Sequence, residues 1–133
     1  MTFVVVGVGG AVGTLARYGA VRIHPADGGT FPWATLAVNL LGAALIGALA
    51  ARGLADATSP APLAVSAGFL GAFTTFSGLA VETVLLVDAG RPAVAGVYLL
   101  ASVIGGLAAC AAAWRVSSPR SGRGVAATGA DRC

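Results

Sequence analysis

The chain has 133 residues, of which 57% are hydrophobic and only 10% charged, with a mean hydropathy of +0.89. A small soluble domain covers its large surface with about 25% charged residues; eight arginines and five acidic residues cannot do so here, which excludes an ordinary soluble enzyme, a disordered tail and a nucleic-acid module. The net charge of +3 does not imply an anionic polymer as partner, because half the arginines (Arg115, Arg120, Arg123, Arg132) fall at the C-terminal end, where basic residues beside apolar runs set topology.

A helix that crosses a bilayer needs about 20 apolar residues, so the length holds four spans and little else. The first covers about 2–22 and ends in a polar stretch with turn signals at His24, Pro25, Asp27, Gly28 and Gly29. The second covers about 33–51 and stops at Arg52 and Gly53. A linker with Asp56, Thr58, Ser59, Pro60 and Pro62 leads to the third, about 62–87. Asp88, Gly90, Arg91 and Pro92 then form a tight turn before the fourth, about 92–114. These spans make residues 1–115 one transmembrane domain; residues 116–133, rich in Ser, Gly and Arg, are expected to be a disordered tail. Trp33 and Trp114 mark span ends, where indoles prefer the headgroup region. Most of the 20 glycines read as contacts that let membrane helices pack closely.

With four spans, the N-terminus, the second loop and the tail share one side. That side carries Arg52, Arg115, Arg120, Arg123 and Arg132 against Arg22 and Arg91 on the other, which favours cytoplasmic termini. Within the hairpin loops alone the bias nearly vanishes. The first apolar run has no basic region ahead of it and leads into further spans, so it reads as a span and not as a cleaved signal.

Two apparent motifs fail. Phe3 to Gly13, FVVVGVGGAVG, looks like a strand entering a dinucleotide loop, but Val12 stands at the third glycine position and the next ninety residues are apolar. Cys110 and Cys133 have no metal or disulfide spacing, and with His24 as the only histidine no His-based catalytic triad is possible.

The informative residues are those a bilayer rejects. An ionisable group at mid-span costs at least ~2.5–3.5 kcal/mol on insertion scales and faces a partner or a water-filled path. Arg17 either snorkels from near its span end or serves such a path. Asn39 either bridges helices or lines a pathway, and Glu82 is either a hydrogen-bonded structural carboxyl or a functional one. Gly68 to Ser77, GFLGAFTTFS, is poor company for a continuous helix. Unwound backbone in a membrane is tolerated only where protein buries it or it lines a cavity, and there its carbonyls suit a cation and its amides an anion. On a continuous helix Phe69, Phe73 and Phe76 would form one stripe, for packing or for turning positive ring edges toward an anion. Tyr98 and Ser102, one turn apart, put two hydroxyls on one face of the fourth span.

These residues resemble the CrcB/Fluc family of fluoride channels across all four spans. Gly9-Gly10-Ala11-Val12-Gly13-Thr14-Leu15-Ala16-Arg17-Tyr18 is similar to its first-helix motif, Asn39-Leu40-Leu41-Gly42 to its NxxG, and Gly68 to Ser77 to its GxxGGxTTFS. The resemblance implies an all-α membrane protein with four transmembrane helices, the third broken, that pairs as an antiparallel dimer and exports cytoplasmic fluoride passively, relieving its toxicity. It implies that Asn39, Phe76, Tyr98 and Ser102 line the pore, that Arg17 is the vestibule arginine, that Glu82 is the glutamate after the phenylalanine motif, and that a structural Na+ rests on the backbone carbonyls of Gly71 and Thr74. It implies no enzymatic activity.

The chain departs from the pattern. Leu79 stands where the family has a second pore phenylalanine, Gly78 and Ala80 replace hydroxyl residues, Gly106 replaces the next hydroxyl of the fourth helix, and Ala72 replaces a glycine. Some family members are built from two dissimilar subunits, so the partner is either a second copy or a CrcB paralogue. A pore-degenerate or regulatory subunit and a small multidrug-type transporter are the alternatives. The transporter class relies on a carboxylate in its first helix, where this chain has Arg17 and no acid.

Overall fold

A computed structural model describes residues 1–27, 29–54 and 59–119. Among the described residues four helical spans are long and apolar enough to cross a membrane, the arrangement of a multi-pass membrane protein. They are α1 (Thr2–Ile23), α2 (Trp33–Ala51), a composite third span over Pro60–Asp88, and α6 (Pro92–Ser117). The last helix runs three residues beyond the apolar run that predicted it, and the expected tail from 120 onward lies outside the described residues.

The third span is not one helix. It starts as α3 (Pro60–Leu63), with prolines where a first turn tolerates the missing amide. It widens into a π-helix (Ala64–Leu70), closes with one α-turn, α4 (Gly71–Phe73), and leaves helical geometry at Thr74 and Thr75. Thr74 (φ −75°, ψ 156°) and Thr75 (φ −145°, ψ 116°) are extended. The chain re-enters as α5 (Phe76–Asp88), whose first turn is capped by the Thr75 hydroxyl accepting from the Gly78 amide at 3.0 Å. The sequence predicts this break, and its cause is local: consecutive β-branched threonines with hydroxyls that bond their own backbone.

Packing follows the small residues. α2 and α6 form the most extensive helix pair, and α1 lies along the π-helix. A Cβ added to Gly68 would sit 2.6 Å from the Val6 carbonyl oxygen, and one added to Gly13 would strike that of Phe69. The two backbones touch there, which only small residues permit. The opposite face of α1, with Val4, Val8, Val12 and Leu15, is exposed. An apolar outer face is what hydrocarbon requires of a span. The tightest core, Leu36, Leu79, Leu86, Ala95 and Tyr98, lies between α2, α5 and α6. The Phe31 ring closes one end of it, edge-on to Tyr98 at 5.5 Å, and Arg91 Nη1 ties the neighbouring turn to the Gly29 carbonyl.

Overpacking such a contact costs about 1–3 kcal/mol. Gly68→Val therefore lowers the unfolding midpoint in detergent, followed by circular dichroism. Gly7→Val, where a Cβ meets nothing within 4 Å, leaves it unchanged.

Candidate functional site

The break generates the site. Leaving the helix at Thr74 frees amides and carbonyls in the middle of an apolar span, where each costs several kcal/mol if unanswered. Asn39, in the second turn of α2, answers two of them. Its Oδ1 accepts from the Thr75 amide at 2.8 Å, and its Nδ2 donates to the Thr75 carbonyl at 3.1 Å. An asparagine amide has two N–H groups; Thr75 uses one and the other remains to be offered. Arg17 answers a third, its Nε donating to the Ala72 carbonyl at 3.1 Å. Thr74 doubles back on the Leu70 carbonyl with its amide (3.1 Å) and its hydroxyl (3.0 Å). The carbonyls of Gly71 and Thr74 accept no hydrogen bond from any described residue.

A groove of about 490 Å³ opens beside the break, between α2, α6 and the two halves of the third span. Asn39, Gly42 and Ile46 contribute one helical stripe, and Ser102, Val103 and Gly106 face them. Gly71, Thr74, Thr75, Phe76 and Leu79 form the third wall. The lining is mostly apolar with few polar atoms, as small-ligand sites are. Ser102 is 8% exposed, and its Oγ has no hydrogen-bond partner among the described residues. Phe76 stands at the rim, 82% exposed.

The residues singled out from sequence therefore separate into groups. Asn39, Phe76, Ser102, Gly71 and Thr74 share the groove. Tyr98 and Glu82 do not line it in the single chain. The fully buried Tyr98 donates to Glu82 Oε2 at 2.6 Å, and Thr35 donates to Glu82 Oε1 at 2.6 Å. Arg17 reaches the break from α1. Phe69 and Phe73 stack at 5.4 Å, while the break separates Phe76 from them. Leu79 lines the groove from the core cluster, 6% exposed. Two participants went unread in the sequence. Thr35 lies one turn before Asn39 on the same face of α2, a signal that could have found it. The Ala72 carbonyl is backbone, and no side chain announces it. Among the described residues no three of His, Cys, Asp and Glu converge.

Replacing Glu82 orphans two buried hydroxyls, each at about 1–3 kcal/mol. Glu82→Leu thus destabilises more than Tyr98→Phe, which leaves the Thr35 bond in place. Equilibrium unfolding of both variants in the same detergent checks the order.

Comparison with known proteins gives one answer along the whole domain. The model of the family described as CrcB-like protein, Camphor Resistance (CrcB), matches residues 4–114. A fluoride-specific ion channel FluC 2 of Geobacillus kaustophilus is 38% identical over 128 residues, covering 94% of this chain and 99% of the relative. The fluoride-specific ion channel FluC of Sphingopyxis alaskensis is 46% identical over 110 residues, 79% and 86% of the two chains. That of Thermus thermophilus is 42% identical over 107 residues, again 79% and 86%. These relatives are channels and not enzymes. With a broken third span in the middle of the matched region, the chain belongs to the CrcB-like family.

Proposed function

We propose that this chain is a fluoride-selective channel subunit that lets cytoplasmic fluoride leave the cell passively and so relieves its toxicity. The observation that carries the reading is the clamped break. Asn39 pins the unwound backbone at the wall of an apolar groove and keeps one N–H to offer. Fluoride is small and strongly hydrated, so a path for it must replace water with aligned donors. Asn39, the unpartnered Ser102 hydroxyl and the positive ring edge of Phe76 are such donors. None carries a full charge that would trap the ion. Tyr98 and Glu82 do not line the groove in the single chain and Arg17 meets the break from α1; their place on the path belongs to the completed channel. An inside-negative potential drives a monovalent anion outward by about 2.3 kcal/mol per 100 mV, so no energy source is needed.

One chain makes half of such a path, because the groove is open and Phe76 projects from it. A second copy, antiparallel to the first, completes it. The near-balanced hairpin arginines allow insertion both ways; where orientation is fixed, both termini are cytoplasmic. The unpaired carbonyls of Gly71 and Thr74 fit a structural Na+: they are neutral, hard oxygens at a half-helix end, the donor set that unwound spans present to Na+. An ion held there would supply positive charge at the negative, C-terminal end of the half-helix Pro60–Phe73. A second reading, a subunit completed by a CrcB paralogue, is favoured by the groove wall itself. Leu79 presents an aliphatic chain and Gly106 no side chain at all.

Purified protein in liposomes is expected to pass fluoride and not chloride, read with ion-selective electrodes. Asn39→Asp, which sets a carboxyl against the Thr75 carbonyl, and Phe76→Ile should each slow the flux by about tenfold or more, roughly 1.4 kcal/mol of barrier. Flux only on co-expression with a related subunit rejects the homodimer, and no flux in either preparation rejects the channel.

A further inference from the structure

We propose that Arg17 is a positioning residue: it fastens the end of the first half of the third span through the Ala72 carbonyl and thereby sets where the break falls. An arginine inside a membrane span invites another role, that of a fixed charge drawing anions toward the groove. The hydrogen bond to the Ala72 carbonyl gives Arg17 a structural role that does not depend on that charge. Gly9, Gly13 and Arg17 lie at i, i+4 and i+8, on one face of α1. A Cβ on Gly9 would strike the Ala64 carbonyl, and one on Gly13 that of Phe69, while Arg17 Nε meets that of Ala72. Successive turns of α1 thus meet successive points along the first half of the third span, in the same chain direction. The two glycines bring the backbones into contact, and Arg17 is the last point of the register.

The carbonyl it takes is a particular one. Pro60–Phe73 is helical throughout; the Leu70 carbonyl still accepts from the Thr74 amide, while those of Gly71, Ala72 and Phe73 lie past the last helical donor. The negative end of this half-helix favours a cation, which removes much of the cost of Arg17 within the span. Donation through Nε fixes the guanidinium plane side-on to the carbonyl, a geometry a lysine ammonium cannot reproduce. With Asn39 holding Thr75 and Arg17 holding Ala72, both flanks of Phe73–Thr74 are tied to other helices. Of the two unpaired carbonyls, that of Gly71 comes just before the Ala72 anchor and that of Thr74 lies between the two anchors.

The inference rests on the channel reading for one of its readouts and not for the others. Full-length protein in liposomes, as wild type, Arg17→Lys and Arg17→Gln, is examined by amide hydrogen exchange over residues 71–78 and by fluoride flux at low and high ionic strength. A fastening role predicts that both variants raise exchange in that segment, and slow flux, by about tenfold or more, the loss expected for a charge-assisted hydrogen bond. The flux deficit is then independent of salt. Wild-type exchange and flux in Arg17→Lys, with a deficit in Arg17→Gln that salt abolishes, would overturn the proposal in favour of the fixed charge. Raised exchange in variants of a wild type that passes no fluoride upholds the fastening and sinks the channel reading instead. Should the variants not fold, the Arg17 Nε–H proton of the wild type decides by NMR: slow exchange with water supports the contact, and the rate of a free guanidinium rejects it.

Discussion

Inside a membrane, a backbone that leaves its helix is tolerated only where protein answers its freed amides and carbonyls or where it lines a cavity. At Thr74–Thr75 most of the answers come from outside the third span. Asn39 of α2 takes the Thr75 amide and carbonyl, and Arg17 of α1 takes the Ala72 carbonyl. The rest of the fold serves these contacts. Glycines on α1 bring it against the π-helix, so that Arg17 falls in reach. The close pairing of α2 with α6 sets the face of α2 that carries Thr35, Asn39 and Gly42 toward the third span and the groove. For Asn39 the alternatives open from sequence do not compete. Asn39 is an interhelical hydrogen bond and also a groove residue.

The four spans were legible because lipid admits only long apolar runs, and the break because Gly and Thr cluster where a helix should continue. Asn39 and Glu82 stood out because a membrane span tolerates such side chains only for a reason. What the sequence could not show was partnership. Tyr98 and Ser102 share a face of α6, yet Tyr98 turns its hydroxyl to Glu82 on α5 while Ser102 faces the groove. One-dimensional spacing places two side chains on a face; it does not say which neighbour fills the space before each. Arg17 gives the sharper case, since its partner is the backbone of an alanine whose side chain carries no information. The π-helix over Ala64–Leu70 was likewise unread: AVSAGFL has no residue that distinguishes a widened turn from an ordinary one.

The polar groups fall into two environments, and the difference decides what an entering anion can use. The Thr35–Glu82–Tyr98 cluster is closed: both carboxyl oxygens accept a hydroxyl at 2.6 Å, and the Phe31 ring lies edge-on over Tyr98. An anion would have to displace a carboxyl to gain the Tyr98 proton. The groove is the reverse. Ser102 has no partner and Asn39 has a spare N–H, so an ion there gains donors without breaking any bond. Leu79 lies between the two environments, in the core cluster with Tyr98 and in the groove wall with Ser102. An aliphatic side chain there offers neither donor nor ring edge. In the proposed channel the path beyond Phe76 therefore depends on what a facing subunit contributes, which makes the identity of that subunit a question of chemistry as much as of shape.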